Sequence, residues 1–143
     1  MQNQQGQQAS MRQNSEQERG RQAWSNILAI KEQDQKSPDK KLEKEYRSLA
    51  RGLNAMVQIN GLGQTLGFLK AKGKHDEKKA HYLLLSHLTG WMQDAKHFKA
   101  ANRDVMGRGY DGLLHWVLDP ATSSDDYRRA TTECLAFGVW LRR

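Results

Sequence analysis

Asn60-Gly61-Leu62-Gly63-Gln64-Thr65-Leu66-Gly67-Phe68-Leu69-Lys70-Ala71-Lys72-Gly73 combines two properties that seldom share one helix. Leu62, Leu66 and Leu69 recur at steps of four and three, which puts them on one face at 3.6 residues per turn and marks that face as core. Gly61, Gly63 and Gly67 lie at the start of or inside the same run, and an interior glycine costs roughly 1 kcal/mol relative to Ala. Close approach of a neighbouring helix at Gly63 and Gly67 is the expected compensation. Lys70, Lys72 and Lys74 cluster around Gly73, which suits the left-handed position that ends a helix. The stretch predicts a tightly packed helix with a cationic end.

Working outward toward the N-terminus, Ser37-Pro38-Asp39 has the pattern of an N-cap, a proline at the first helical position and a first-turn acid. The helix predicted to start there places Leu42, Tyr46, Leu49, Leu53 and Met56 on one side. Lys40, Lys41, Lys44, Arg47 and Arg51 stand among acids on the other. From Gln13 to Glu32 the residues favour helix, with Ala23, Trp24, Ile27, Leu28 and Ile30 as an apolar stripe in the C-terminal half only. Residues 1–12 are mostly Gln and Asn, too poor in apolar groups to offset their ordering entropy, and are expected to form a flexible tail.

Toward the C-terminus, Tyr82, Leu84, Leu85, Leu88, Trp91, Met92, Ala95 and Phe98 give the strongest helical pattern, expected to be the central helix. Gly107, Gly109 and Gly112 mark residues 100–112 as a loop or loosely ordered linker. A short helix through Leu113–Leu118 must end at Asp119-Pro120, because the residue before proline avoids helical dihedrals. Thr122-Ser123-Ser124-Asp125-Asp126 then caps a last helix whose buried side is Tyr127, Ala130, Cys134, Phe137 and Leu141. Trp24, Trp91, Trp116 and Trp140 all fall in apolar patterns and are assigned to the core. No stretch alternates at period two. The expectation is an all-α, single-domain bundle of about six helices over residues 13–143, without a sheet.

The 143 residues carry 23 Lys and Arg against 16 Asp and Glu, a formal charge of +7. Such a balance favours polyanionic partners. No apolar run approaches the roughly 20 residues of a membrane span, and the start lacks a signal peptide's apolar segment, so a cytoplasmic protein without membrane contact is expected. The single cysteine, Cys134, excludes an internal disulfide.

The residues that carry chemistry in other proteins form no reactive pattern. His75, His81, His87 and His97 never pair at i, i+4 with an intervening acid, and His75-Asp76 lacks the further ligands a metal phosphohydrolase needs. Solvated or nucleic-acid-facing histidines are the expectation, with no metal and no cofactor. Glu133 has no second carboxylate at helical spacing with which to divide acid and base roles, so a capping or salt-bridge role suits it better. Gly61-Leu62-Gly63 is not a phosphate loop, because neither the Lys-Ser/Thr ending nor a preceding strand is present. An enzyme is not expected. Between Lys70 and Arg108 there are nine cations (Lys70, Lys72, Lys74, Lys78, Lys79, Lys96, Lys99, Arg103, Arg108) against Asp76, Glu77, Asp94 and Asp104. This surplus points to contact with a phosphate backbone without base readout.

The glycine-containing stretch, Asn60 to Lys72, resembles the signature helix of the small subunit of type III-B CRISPR effector complexes, the Cmr complexes. Tyr127-Arg128-Arg129-Ala130-Thr131-Thr132-Glu133, continuing through Phe137, Trp140, Leu141 and Arg142, is similar to that family's last helix, and Tyr82–Met92 fits the helix between. The resemblance runs from about residue 20 to the end. It implies a small helical protein without catalytic activity, stacked in several copies beside the other subunits along the groove where guide and target RNA pair, in antiviral defence. The motif positions Gly61, Leu62, Gln64, Thr65, Phe68, Lys72, Tyr127, Arg128, Thr131 and Glu133 are mostly structural. Lys70, Lys72, Lys74, Arg128 and Arg142 are the candidates for RNA, chosen by charge and placement. The alternative is a purely protein–protein adaptor whose basic faces meet acids on sister subunits.

Overall fold

Leu62, Leu66 and Leu69 are sealed from solvent in the computed structural model, which describes the backbone of residues 4–143 and side-chain surroundings from Asn14 onward. Burial of each such leucine stabilises the fold by roughly 2 kcal/mol. The described residues form six α-helices, α1 (Gln4–Gln35), α2 (Leu42–Asn60), α3 (Leu62–Gly73), α4 (Ala80–Gln93), α5 (Gly112–Leu118) and α6 (Ser124–Leu141), with a 3₁₀ turn at Arg103–Arg108. No strand occurs among the described residues. The central position expected for α4 is observed: it packs on α2, α3, α5 and α6. Tyr46 and Leu53 of α2, Trp116 of α5 and Phe137 of α6 fill the space around it.

The glycines of the opening stretch serve different ends. Gly61 joins α2 to α3 at φ 87°, a conformation that side chains with a Cβ rarely adopt. A Cβ on Gly63 would meet Val117 Cγ1 at 3.3 Å, and its N–H donates to the Tyr127 hydroxyl at 3.1 Å, so here the expected close approach is found. Gly67 corrects the expectation, since a Cβ there would meet nothing within 4 Å. Gly73 corrects it too: it remains helical, and Lys74 takes the left-handed position at φ 51°. The reason is packing, because a Cβ at Gly73 would press on the Tyr82 backbone, 3.0 Å from its nitrogen. The small residue is needed where α3 enters the turn to α4, and a lysine accepts the unfavourable dihedral.

Several boundaries move for identifiable reasons. Helix α2 begins at Leu42 and not at Ser37, because Ser37 and Asp39 bond each other in a turn and Lys40 is left-handed at φ 51°. Its first N–H is instead taken by Asp34 of α1, which accepts from Leu42 N at 3.0 Å. Helix α4 stops at Gln93, where Asp94 turns the chain by accepting from Lys96 N; Phe98 is buried from a loop. Residues 100–112 are ordered rather than loose. Asn102 accepts from Trp116 Nε1 at 2.9 Å and donates to Asp119 and Thr122. The flexible tail expected over residues 1–12 falls in part on residues 1–3, outside the described residues; from Gln4 the backbone is helical, in keeping with the good helix propensity of Gln, Ala, Met and Arg. Helix α6 starts as predicted, with Ser123 accepting from Asp126 N at 3.1 Å.

The tryptophans divide. Trp91 and Trp116 are core residues at 4% and 0% exposure, Trp140 is half-buried, and Trp24 is 62% exposed, against expectation. On α1 the buried row is Ala23, Ile27 and Ile30; Trp24 and Leu28 form a separate row, rotated by about 100° and facing out.

Candidate nucleic-acid interface

The last turn of α3 and the turn into α4 bring Lys70, Lys72, Lys74, Lys78 and Lys79 to one end of the bundle. Lys70 is held within the fold: its Nζ lies 2.9 Å from Asp111 Oδ2, and His115 Nε2 lies 3.3 Å from the same oxygen. Burial works to raise the Asp111 carboxyl, but the bond and charge of Lys70 outweigh it and hold the group below the usual carboxylate range. The hydrogen bond to Asp111 correspondingly raises the Lys70 ammonium. Lys72, Lys74, Lys78 and Lys79 have no carboxylate within salt-bridge distance among the described residues.

The acids of this end are partly occupied. Asp76 Oδ1 accepts from Lys78 N at 3.0 Å and shapes the turn that starts α4. Glu77 and Lys78 border a cleft of about 490 Å³ closed by Gln33, Lys36 and Tyr82, and Gln33 donates to the Glu77 carbonyl at 3.1 Å. His81, packed edge-on to Phe68, is depressed by burial, supported by Glu45 and depressed further by Lys72 and Lys79. The end can hold phosphate oxygens by charge; the aromatic rings nearby are engaged, with Tyr82 stacked on Tyr110 at 3.8 Å and Tyr110 Oη 3.1 Å from His75 Nδ1.

The remaining candidates lie elsewhere. Arg128, 77% exposed and loosely paired with Asp125 at 3.6 Å, sits at the start of α6, where the neighbouring Tyr127 meets Gly63. Nine residues of α3, about 13 Å, separate that point from Lys72. Arg142 caps the other end of α6, about 21 Å of helix from Arg128, and is exposed. The five candidates are therefore not one site. Lys78 and Lys79, counted in the charge surplus but not singled out, belong with Lys72 and Lys74; their signal in the sequence was the short polar turn that returns the chain to the same end.

His87 and His97 correct the expectation of solvated or nucleic-acid-facing rings, whereas His75 is exposed. His87 is largely buried, its Nδ1 2.7 Å from Tyr46 Oη, and burial holds it at about 4. His97 stacks on Trp91 at 3.6 Å and approaches Glu18 at 3.0 Å. Each is a packing group. Of the two roles expected of Glu133, capping or a salt bridge, the structure shows the salt bridge: its carboxylate accepts two bonds from Arg19, at 2.7 and 2.9 Å, and one from Trp91 Nε1 at 3.1 Å. Burial raises the Cys134 thiol to about 12. Among the described residues no three His, Cys, Asp or Glu side chains gather as a metal site.

A second cationic feature was missed. Between α1, the start of α2 and the end of α6 runs a groove of about 580 Å³ lined by Arg21, Trp24, Ile27, Arg47, Trp140 and Arg143. The signal for it was the Trp24/Leu28 row, one position off the buried row.

Residues 15–143 match the family model described as CRISPR-associated protein (Cas_Cmr5). No solved structure matches the chain.

Proposed function

The chain belongs to the Cmr5 family of CRISPR-associated proteins, small subunits of the type III-B (Cmr) effector complex, and from that premise we propose that it braces RNA electrostatically without reacting with it. As a Cmr subunit it associates with other Cmr subunits in CRISPR defence. In the proposed role several copies stack along the guide and target RNA in the cytoplasm, other subunits perform the chemistry, and base pairing reads the sequence. No helix among the described residues is long and apolar enough to cross a membrane.

The observation that carries the RNA reading is the group of four lysines, Lys72, Lys74, Lys78 and Lys79, free of carboxylate partners among the described residues at the α3–α4 end. Flexible, hydrated ammonium groups suit phosphates in varied positions. In this reading Lys72 and Lys74, with Arg128 and Arg142 as further contacts, touch RNA, as their charge and placement in the sequence suggest; Lys70 supports them from its bond to Asp111.

The test is a Cmr complex reconstituted with Lys72→Glu, Lys74→Glu and Lys78→Glu together. RNA retention is expected to weaken, and the slope of log K against log salt to fall by about 2, since each single-strand phosphate contact contributes about 0.7. Normal assembly with unaltered RNA retention defeats the reading. Failed assembly, with RNA binding by preassembled complex unchanged, favours the adaptor.

A further inference from the structure

The groove between α1 and α6 differs in chemistry from the lysine end. Gly20 lets the Trp140 indole lie against α1, where a Cβ would meet its ring at 3.1 Å, and Trp140 Nε1 donates to Glu16 at 3.2 Å. Arg143 covers the Trp140 ring at 4.8 Å from its centroid. Trp140 thus forms a fixed wall. Trp24 stands at the mouth 62% exposed, and Leu28, one turn on, is 42% exposed. Of the three arginines in the lining, Arg47 is paired with Glu43 at 3.1 Å; Arg21 and Arg143 meet no carboxylate among the described residues.

We propose that this groove docks an acidic segment of another protein subunit, seating one bulky apolar side chain against Trp24 and its carboxylates on Arg21 and Arg143. The inference rests on membership of a multi-subunit complex and not on the RNA reading. Charge complementarity favours an anionic occupant, because Glu43 answers Arg47 and Glu16 holds Trp140, while Arg21 and Arg143 in the lining stay without a carboxylate among the described residues. The apolar surface decides which kind. Tryptophan and arginine are the side chains that dominate protein–protein contacts, whereas lysine is depleted there. A nucleic-acid platform needs successive free aromatic faces, yet Trp140 is engaged, and the row continues from Trp24 to the aliphatic Leu28, on which no base stacks.

The test uses the full chain in a reconstituted Cmr complex. Trp24→p-benzoylphenylalanine is expected to photocrosslink to an Asp- or Glu-rich peptide of a different subunit. Trp24→Ala and Arg21→Glu are each expected to lower incorporation at limiting concentration at least tenfold, while leaving the thermal melting of the free chain and its RNA binding unchanged. Crosslinks to RNA, crosslinks to a second copy of this chain, or unchanged incorporation of both variants would each overturn the proposal. The Lys72, Lys74 and Lys78 triple variant, crosslinked at the same position, separates the two readings: it is expected to give the same peptide with weakened RNA retention. If RNA retention persists in that variant, the RNA reading fails and the groove assignment stands.

Discussion

At the seam between α1 and α6, Arg19 donates twice to Glu133 and once to Glu16, and the Arg19 and Glu133 side chains are 17% and 14% exposed. At the α3–α4 end, Lys72, Lys74 and Lys78 are exposed and meet no carboxylate among the described residues. The same formal charge does opposite work in the two places. A planar guanidinium held by a fixed fork locates the polar half of α1, which offers few apolar groups for packing, whereas ammonium groups on flexible stems leave their charge open to a partner. The difference teaches that a +7 balance is not uniformly available: part of it is consumed by the fold, and Lys70 on Asp111 shows that the division runs through the lysine end itself.

The contrast breaks most readily at Glu133. Glu133→Ala leaves Arg19 and Trp91 Nε1 without their acceptor and is expected to cost about 3 kcal/mol, lowering Tm by about 10 °C, with RNA retention unchanged. Arg19→Ala combined with Glu133→Ala is expected to cost less than the sum of the singles. A melting curve of Glu133→Ala that overlays the wild type would place this bond with the dispensable surface pairs.

A third way of handling charge sharpens the comparison, namely keeping a group neutral. His87 beside Tyr46 is held at about 4 by burial, below the ordinary value near 6.5. The unfolded chain therefore binds the proton first, so stability is full above about pH 6.5 and is lost as pH falls toward 4. Between pH 7 and 5 the loss is expected to be about 2 kcal/mol, and His87→Gln is expected to flatten the denaturant midpoint over that window. An unaltered pH dependence in the variant would assign the loss to other groups.

Within the lysine end, Lys70→Ala is expected to cost about 1 kcal/mol by leaving the buried Asp111 without its ammonium, while Lys72→Ala stays within about 0.5 kcal/mol of wild type in urea unfolding. Equal costs would erase the distinction between engaged and free lysines. The smallest effect is expected on the open side of α3. Gly67→Ala should stabilise by about 0.5 kcal/mol, since the new methyl meets nothing, and Gly73→Ala should destabilise because its methyl meets the Tyr82 backbone. Thermal melts of the pair check both signs.

Helix identity was legible wherever periodicity and caps agreed. The steps among Leu62, Leu66 and Leu69, the run from Tyr82 to Met92 and the Ser123 cap each specified an element from its own residues. Boundaries failed where a distant group intervened: Asp34 supplies the cap that Ser37 was expected to give, and Lys74 takes the dihedral expected of Gly73. The candidate cations were legible as a surplus but not as a site. Arg128 and Arg142 share a helix yet stand about 21 Å apart, while Lys78 and Lys79 join Lys72 through a turn.

By itself the sequence determined an all-α chain, its principal helices, its cationic balance and its family signature, because periodicity, capping and motif spacing are properties of neighbouring residues. The tertiary structure alone decided which cations remain free, which histidines stay neutral, and that Trp24 faces outward to form a groove with Trp140. Those outcomes depend on burial and on partners more than a hundred residues apart, as between Arg19 and Glu133, and local spacing carries no record of them.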